Sequence, residues 1–348
     1  MLCRVAEDIF WMSRHVERAI AVGRLIDVTL HLELDDREVT EAHGGRWAYL
    51  LTPRADERAD PLSLAEPGAG AADPRSVRYY LAFDVDNPRS LVSCVQRGRR
   101  AARRVRESIS SDMWEALNAL HLSLVDPAIA RSAEDDPHVF YKRIREGAQF
   151  VQGLADATLA RDEAWHFGRL GTYLERADTV AHMLGLQAHL LLGAGDEDHL
   201  VRWLAVLRSC GAAEAYARYY SLRVEPARVI EFLLLNSVFP QAVCFSLRTA
   251  RSSLLALAAD VLDGPTGASR QGVSPAVRGL GLLTAQLENV GVDEVLEGGL
   301  QPYLTDVQRQ IAGVCDHITR VYLRDEPQPG RLVAVARAAM LMAAQQQQ

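Results

Sequence analysis

Two Glu-Arg-Ala triplets, Glu17-Arg18-Ala19 and Glu175-Arg176-Ala177, bring carboxylate and guanidinium together inside segments with helical spacing. Three kinds of chemistry fit such residues. Glu17 or Glu175 could act as a general base on an amide or activated acyl group. The forked guanidinium groups of Arg14, Arg18 and Arg176 could hold a carboxylate or phosphate. Glu17, Glu175 and Asp178 would then fix those arginines or receive an amine. Alternatively, two antiparallel helices could exchange partners, Glu17 with Arg176 and Glu175 with Arg18, fixing register at a desolvation cost. Sequence neighbours do not face each other on a helix, so each doublet bonds across helices rather than within itself.

The helix that must carry the first doublet has two distinct faces. Leu2, Val5, Ile9, Met12, Val16 and Ala19 form an apolar stripe. Arg4, Glu7, Trp11, Arg14 and Arg18 fall in a narrow band opposite. That band is either a solvated face laced with i,i+3 and i,i+4 pairs or the lining of a polar seam. The pattern alone favours the solvated face; Trp11 in its middle argues for the seam, since tryptophan is usually well buried. The downstream segment repeats the pattern in register: Ile9 matches Phe167, Met12 matches Leu170, Val16 matches Leu174. The echo is short, and whether it marks two related halves stays open.

A third element is strongly basic. After Asn87-Pro88, which reads as a helix start, come Arg97, Arg99, Arg100, Arg103, Arg104 and Arg106. Either these are solvated with their stems covering neighbours, or one of two rows, Arg97, Arg100 and Arg104 or Arg99, Arg103 and Arg106, turns inward toward carboxylates or an anion. For metals, Glu175, Asp178 and His182 share a face, with His189 nearly in line. The paired Glu-x-x-His spacing of two-iron bundles is missing. No metal and no cofactor is expected.

The remaining motifs are negative. There is no Walker loop, no Gly-x-Gly-x-x-Gly, no His-Glu-x-x-His and no nucleophile elbow. The 348 residues are 49% hydrophobic and 24% charged, with net charge −7. This is an ordinary globular composition, and its sign argues against nucleic acid or an anionic membrane. The five cysteines are scattered and odd in number, which suits free thiols in a reducing cytoplasm. No basic-then-apolar leader is visible, and the apolar run at His189-Leu-Leu-Leu-Gly193 is too short to span a bilayer.

No segment alternates convincingly as strands do. The chain therefore reads as all-α, a single multi-helix bundle with long helices over residues 1–325. Helices are expected from about Arg4 to Leu32, after Asn87-Pro88, from Ser111-Asp112, from Asp136-Pro137, from Arg161 to Leu192 and from Asp196 to Arg208. Others follow at Ala212–Tyr220, after Pro226, Pro240 and Pro275, and from Thr305 to Leu323. Pro61, Pro67, Gly68, Gly70 and Pro74 mark a mobile loop at about 52–76, and 326–348 reads as a partly frayed extension.

The opening segment and Gly171-Thr-Tyr-Leu-Glu175-Arg176-Ala177-Asp178 resemble the two signatures of the bacterial alpha-E proteins. The likeness extends through Asn87-Pro88-Arg89-Ser90, Trp114-Glu115-Ala-Leu-Asn118 and Glu231-Phe-Leu-Leu-Leu, and covers roughly residues 1–325. Two departures stand out. The chain has Pro240-Gln241-Ala242 where the family tends to Pro-Arg-Ser, and Arg99-Arg100-Ala101-Ala102-Arg103 where it favours Arg-Glu-Asn-Ala-Arg. The resemblance implies a cytoplasmic helical partner of a circularly permuted ATP-grasp ligase, or of a transglutaminase-like protein, in an amide-bond-forming system. It also favours the row of Arg99, Arg103 and Arg106 as the inward one. On this reading Arg4, Glu7, Arg14, Arg18, Arg99, Arg103, Arg176 and Asp178 bind a small anionic or peptide substrate. The alternatives are an enzyme with Glu17 and Glu175 as acid and base, and a pure scaffold.

Overall fold

The computed structural model describes residues 1–35, 47, 50–51, 73–191, 196–220, 223–262 and 274–323. Within them the chain is all-α, with no strand. The expected mobile loop lies outside the described residues except for 73–76, and so does the 326–348 extension. Among the described residues no helix is long and apolar enough to cross a membrane.

The architecture is two four-helix units of one connectivity, joined through their first helices. In the first unit, α1 (Cys3–Asp35) packs against the helix Leu91–Arg104 and against the helix Pro137–Thr158. Ser111–Val125 closes the unit by contacting both. Two shorter helices interrupt this set, Pro74–Ala82 after α1 and Pro127–Asp135 before the helix Pro137–Thr158. In chain order these six are α1 to α6. In the second unit, α7 (Glu163–Leu191) takes the place of α1. It is followed by α8 (Asp196–Ser209), α9 (Ala213–Tyr220), α10 (Pro226–Ile230), α11 (Val243–Leu262), α12 (Pro275–Asn289), α13 (Val292–Glu297) and α14 (Leu300–Ile318). Here α7 packs on α11 and α14, with α12 bridging those two.

Within each unit the helices run up-down-up-down, as short connections favour. Asp8 meets Arg104 and Asp27 meets His138, so α3 and α6 both run against α1. Gly185 meets Gln301, Gly279 meets Val314 and Arg248 meets Glu288, so α14 runs against α7, α12 against α14 and α11 against α12, which sets α11 and α14 both against α7. Four such passes return the chain to its starting direction. Hence α1 and α7 lie parallel, not antiparallel as their matched doublets suggested: Gly168 sits beside Ile9 and Ser13, Gly171 beside Phe10 and Arg14, and Arg176 beside Glu17.

The approach of α1 to α7 is close because Gly171 carries no side chain. A Cβ there would stand 2.4 Å from the Phe10 carbonyl oxygen, inside any tolerable contact. Ile9, Phe10, Met12, Val16 and Ala19 are buried, and so are Arg14, Glu17 and Arg18. Both faces of α1 are therefore covered, and the charged band is an internal seam rather than a solvated surface.

Three local expectations are revised. The last residues of the expected loop at 52–76 open α2 at Pro74, whose N-cap Asp73 accepts from the backbone N–H of Ser76 and Arg75. Asn87-Pro88 forms a turn, and α3 begins only at Leu91 because Ser90 is its cap, accepting from Ser93 N. Pro226 opens only a short helix, which widens into a π-turn over Glu231–Leu235.

Candidate functional site

The seam between α1 and α7 is built by exchanged Glu-Arg pairs. Arg176 donates from Nε to Glu17 Oε1 at 2.7 Å and from Nη2 to Oε2 at 2.9 Å. Arg18 makes the matching fork on Glu175 at 2.6 and 2.8 Å. Bidentate geometry of this kind is the strong form of the interaction. Because the helices are parallel and their sequences echo in register, each doublet faces its own counterpart. Glutamate then meets the arginine one position along.

The two ends of this exchange differ. Glu175 is 0% exposed and also accepts from Arg14 Nε at 2.8 Å. Arg89 Nη2 stands 3.6 Å from it and 3.9 Å from Asp178. Burial alone would raise the Glu175 carboxyl. Arg18 and Arg14, the hydrogen bond from Arg18 and the charge of Arg89 outweigh it and hold that carboxyl well below the usual range. A carboxylate this saturated and sealed clamps helices.

Glu17, by contrast, borders open space. Besides Arg176 it accepts from Gln152 Nε2 at 2.5 Å. With Arg176, Arg24, Thr179, Ser209, Cys210 and Gln241 it lines a small cleft that opens to solvent. Arg176 is braced there by the Pro240 carbonyl at 3.3 Å and by the Tyr173 ring, 4.8 Å from its guanidinium carbon.

Arg24 is the unusual member. It is half-buried, and no carboxylate hydrogen-bonds to it among the described residues. Burial lowers its pKa, and Arg145 and Arg176 push in the same direction. Its guanidinium lies over Gly211, where a Cβ would come within 2.9 Å of it. Gly211 ends α8 at φ +62°, with Gly211 N bonded to Arg208 O and Ala212 N to Leu207 O. This is the Schellman arrangement that glycine permits. The cleft thus carries Glu17, Arg176 and Arg24, an excess of one positive charge, with the Gln241 amide beside them.

The other sequence candidates lie elsewhere. Asp178 is buried next to Arg89, in the Glu175 cluster. Arg4 is exposed and Glu7 half-buried near the start of α1. The expected inward row on α3 is not found, because that helix turns Leu91, Val95, Gly98 and Ala102 toward the core. Arg103 and Arg106 are exposed, the latter over the Trp114 ring, and Arg99 donates to Asn118 at 2.7 Å. His15, also buried, is pushed down to about 3 by burial and then by Arg18.

Sequence reasoning missed Arg24, Arg89, Gln152 and Gln241. Arg24 had a signal, since it lies seven residues after Glu17 and so on nearly the same helix face. Arg89 and Gln241 occupy matching places, in turns ahead of α3 and α11, and each approaches one member of the exchange.

No solved structure matches the chain. The uncharacterized protein Mb2597 of Mycobacterium bovis and the uncharacterized protein Rv2567 of Mycobacterium tuberculosis are each 25% identical over 286 residues, 77% of this chain. That match spans only 30% of each relative's own length. Residues 1–323 match Alpha-E, described as a predicted alpha-helical domain with a conserved ER motif, and both doublets fall within that span. The chain belongs to the Alpha-E family.

Proposed function

We propose that this chain is the helical, substrate-presenting partner of an ATP-grasp-type ligase in an amide-bond-forming system. The anionic end of a small or peptide substrate would enter the cleft between α1, α7 and α8. The observation that carries this reading is Arg24, a half-buried guanidinium with no carboxylate bonded to it among the described residues, beside an Arg176 already held in place. Such a group is stabilised by any carboxylate or phosphate that reaches it. The reading as a module that works with another protein draws on the relatives, in which the matched region is 30% of a longer chain. It draws also on the resemblance to alpha-E proteins, whose companions are ATP-grasp and transglutaminase-like proteins.

The test has two arms. The tagged chain is co-purified with its genomic neighbours, and ATP consumption by any ATP-grasp protein recovered is measured with and without it. Recovery of such a protein, with consumption raised by the wild-type chain and not by Arg24→Met, supports the proposal. Failure to recover one, or equal stimulation by the variant, overturns it. A second reading rests on Glu17 lining the same cleft: Glu17 would act as general base on an amide or activated acyl group. Glu17→Gln would then abolish turnover by the purified chain while its fold survives.

A further inference from the structure

Asp27, nearly three turns along α1 from Glu17, gathers a second group of polar side chains. Its Oδ1 lies 2.9 Å from His138 Nδ1 and 3.7 Å from His31 Nδ1. Asp27 and His31 share a face of α1 through their i,i+4 spacing, and His138 comes from the first turn of α6. The two imidazole rings stand 3.9 Å apart between centroids. One donor atom from each of the three residues lies within 4.8 Å of the others. These are different residues from the Glu175, Asp178 and His182 set weighed from the sequence.

We propose that Asp27, His31 and His138 bind one divalent transition-metal ion of the zinc or cobalt class. Two imidazoles and one carboxylate are a donor set such ions accept, with the remaining positions left for water or another ligand. The surroundings are organised as a ligand shell requires. Arg145 Nη1 holds Asp27 Oδ2 at 3.2 Å, which leaves Oδ1 as the oxygen facing the two imidazoles. The Asp27 backbone carbonyl lies 2.8 Å from His31 Nδ1 and fixes that ring, the outer partnership typical of metal-binding histidines. The His31 side chain is 54% exposed and that of His138 30%, so an ion can enter from solvent. Bound there, it would pin the later turns of α1 to the start of α6.

The chelator-treated full chain is titrated with zinc chloride by calorimetry and with cobalt chloride by visible absorption. One ion per chain is expected, giving cobalt bands of nitrogen and oxygen ligation without a thiolate charge-transfer band. His31→Gln and His138→Gln should each weaken binding at least ~10-fold, while His121→Gln on α4 leaves it unchanged, with folding checked by circular dichroism. A wild-type chain that shows no saturable binding overturns the proposal. A thiolate band, or unaltered affinity in both variants, does the same.

Discussion

Arg176 grips Glu17 through two parallel hydrogen bonds across 159 residues of sequence, and Arg18 returns the same grip onto Glu175. The exchange joins the two four-helix units at their shared interface, so its members act on the whole fold rather than on one helix. Breaking a buried pair leaves its partner charge uncompensated, which costs about 3–5 kcal/mol. Glu175→Gln removes the carboxylate that both Arg14 and Arg18 donate to and should lower stability by that amount. Glu17→Gln should cost less, because Arg176 keeps the Pro240 carbonyl and faces the open cleft. Denaturant unfolding of the two variants compares the losses directly, and an equal or larger loss for Glu17→Gln contradicts the asymmetry.

The same interface depends on Gly171. An alanine there would drive its methyl into the Phe10 carbonyl oxygen at 2.4 Å, against backbone that cannot rotate away. Gly171→Ala should therefore part α1 from α7 and destabilise by about 1–3 kcal/mol or more. Gly153, on the exposed side of α6, has nothing within 4 Å of a Cβ. Gly153→Ala should stabilise by roughly 0.5–1 kcal/mol through helix propensity alone. Thermal unfolding of both separates steric conflict from backbone entropy.

Much of this was legible before any coordinates. Helical spacing gave the long helices, and the impossibility of pairing within a doublet gave the exchange between Glu17, Arg18, Glu175 and Arg176. The parallel arrangement was not legible, because crossed doublets satisfy either direction; the even number of reversals between α1 and α7 decides it. The inward face of α3 was misread for a related reason. Six arginines drew attention, whereas Gly98 and Ala102 set the packing. Arg24 escaped notice because a lone arginine on a long helix carries no motif, and its meaning comes from Gly211 and Gln241, far off in the chain.

Two buried groups set the response to acid. His15 is held neutral, pushed down to about 3, while in the unfolded chain it titrates near the ordinary histidine value. Below that value the unfolded state binds the extra proton, so stability falls with pH from about 6.5 downward. Glu175, held well below the usual carboxylate range, contributes stability that is complete above that range. This second contribution is lost only as pH drops through the lowered value. Unfolding free energy measured from pH 7 to pH 5 should therefore decline in the wild type and stay flatter in His15→Leu. A parallel decline in both would assign the loss to other groups.

Arg24 supplies the sharpest contrast with the exchanged pairs, because its guanidinium is half-buried without the return that Arg18 and Arg176 receive. Burial already lowers its pKa, with Arg145 and Arg176 adding repulsion. Replacing it with methionine keeps the hydrophobic stem and removes a charge to which no carboxylate among the described residues is hydrogen-bonded. Arg24→Met should thus leave the melting temperature unchanged or raise it, whereas Arg18→Met should lower it sharply. Salt dependence gives the second readout. If the charge waits for an anion, added phosphate should raise the melting temperature of the wild type through binding to the folded state. The same addition should do so less in Arg24→Met than in Arg161→Met, which removes an exposed arginine. An Arg24→Met chain as unstable as Arg18→Met would mean that Arg24 is a structural member of the seam and not a vacancy for substrate.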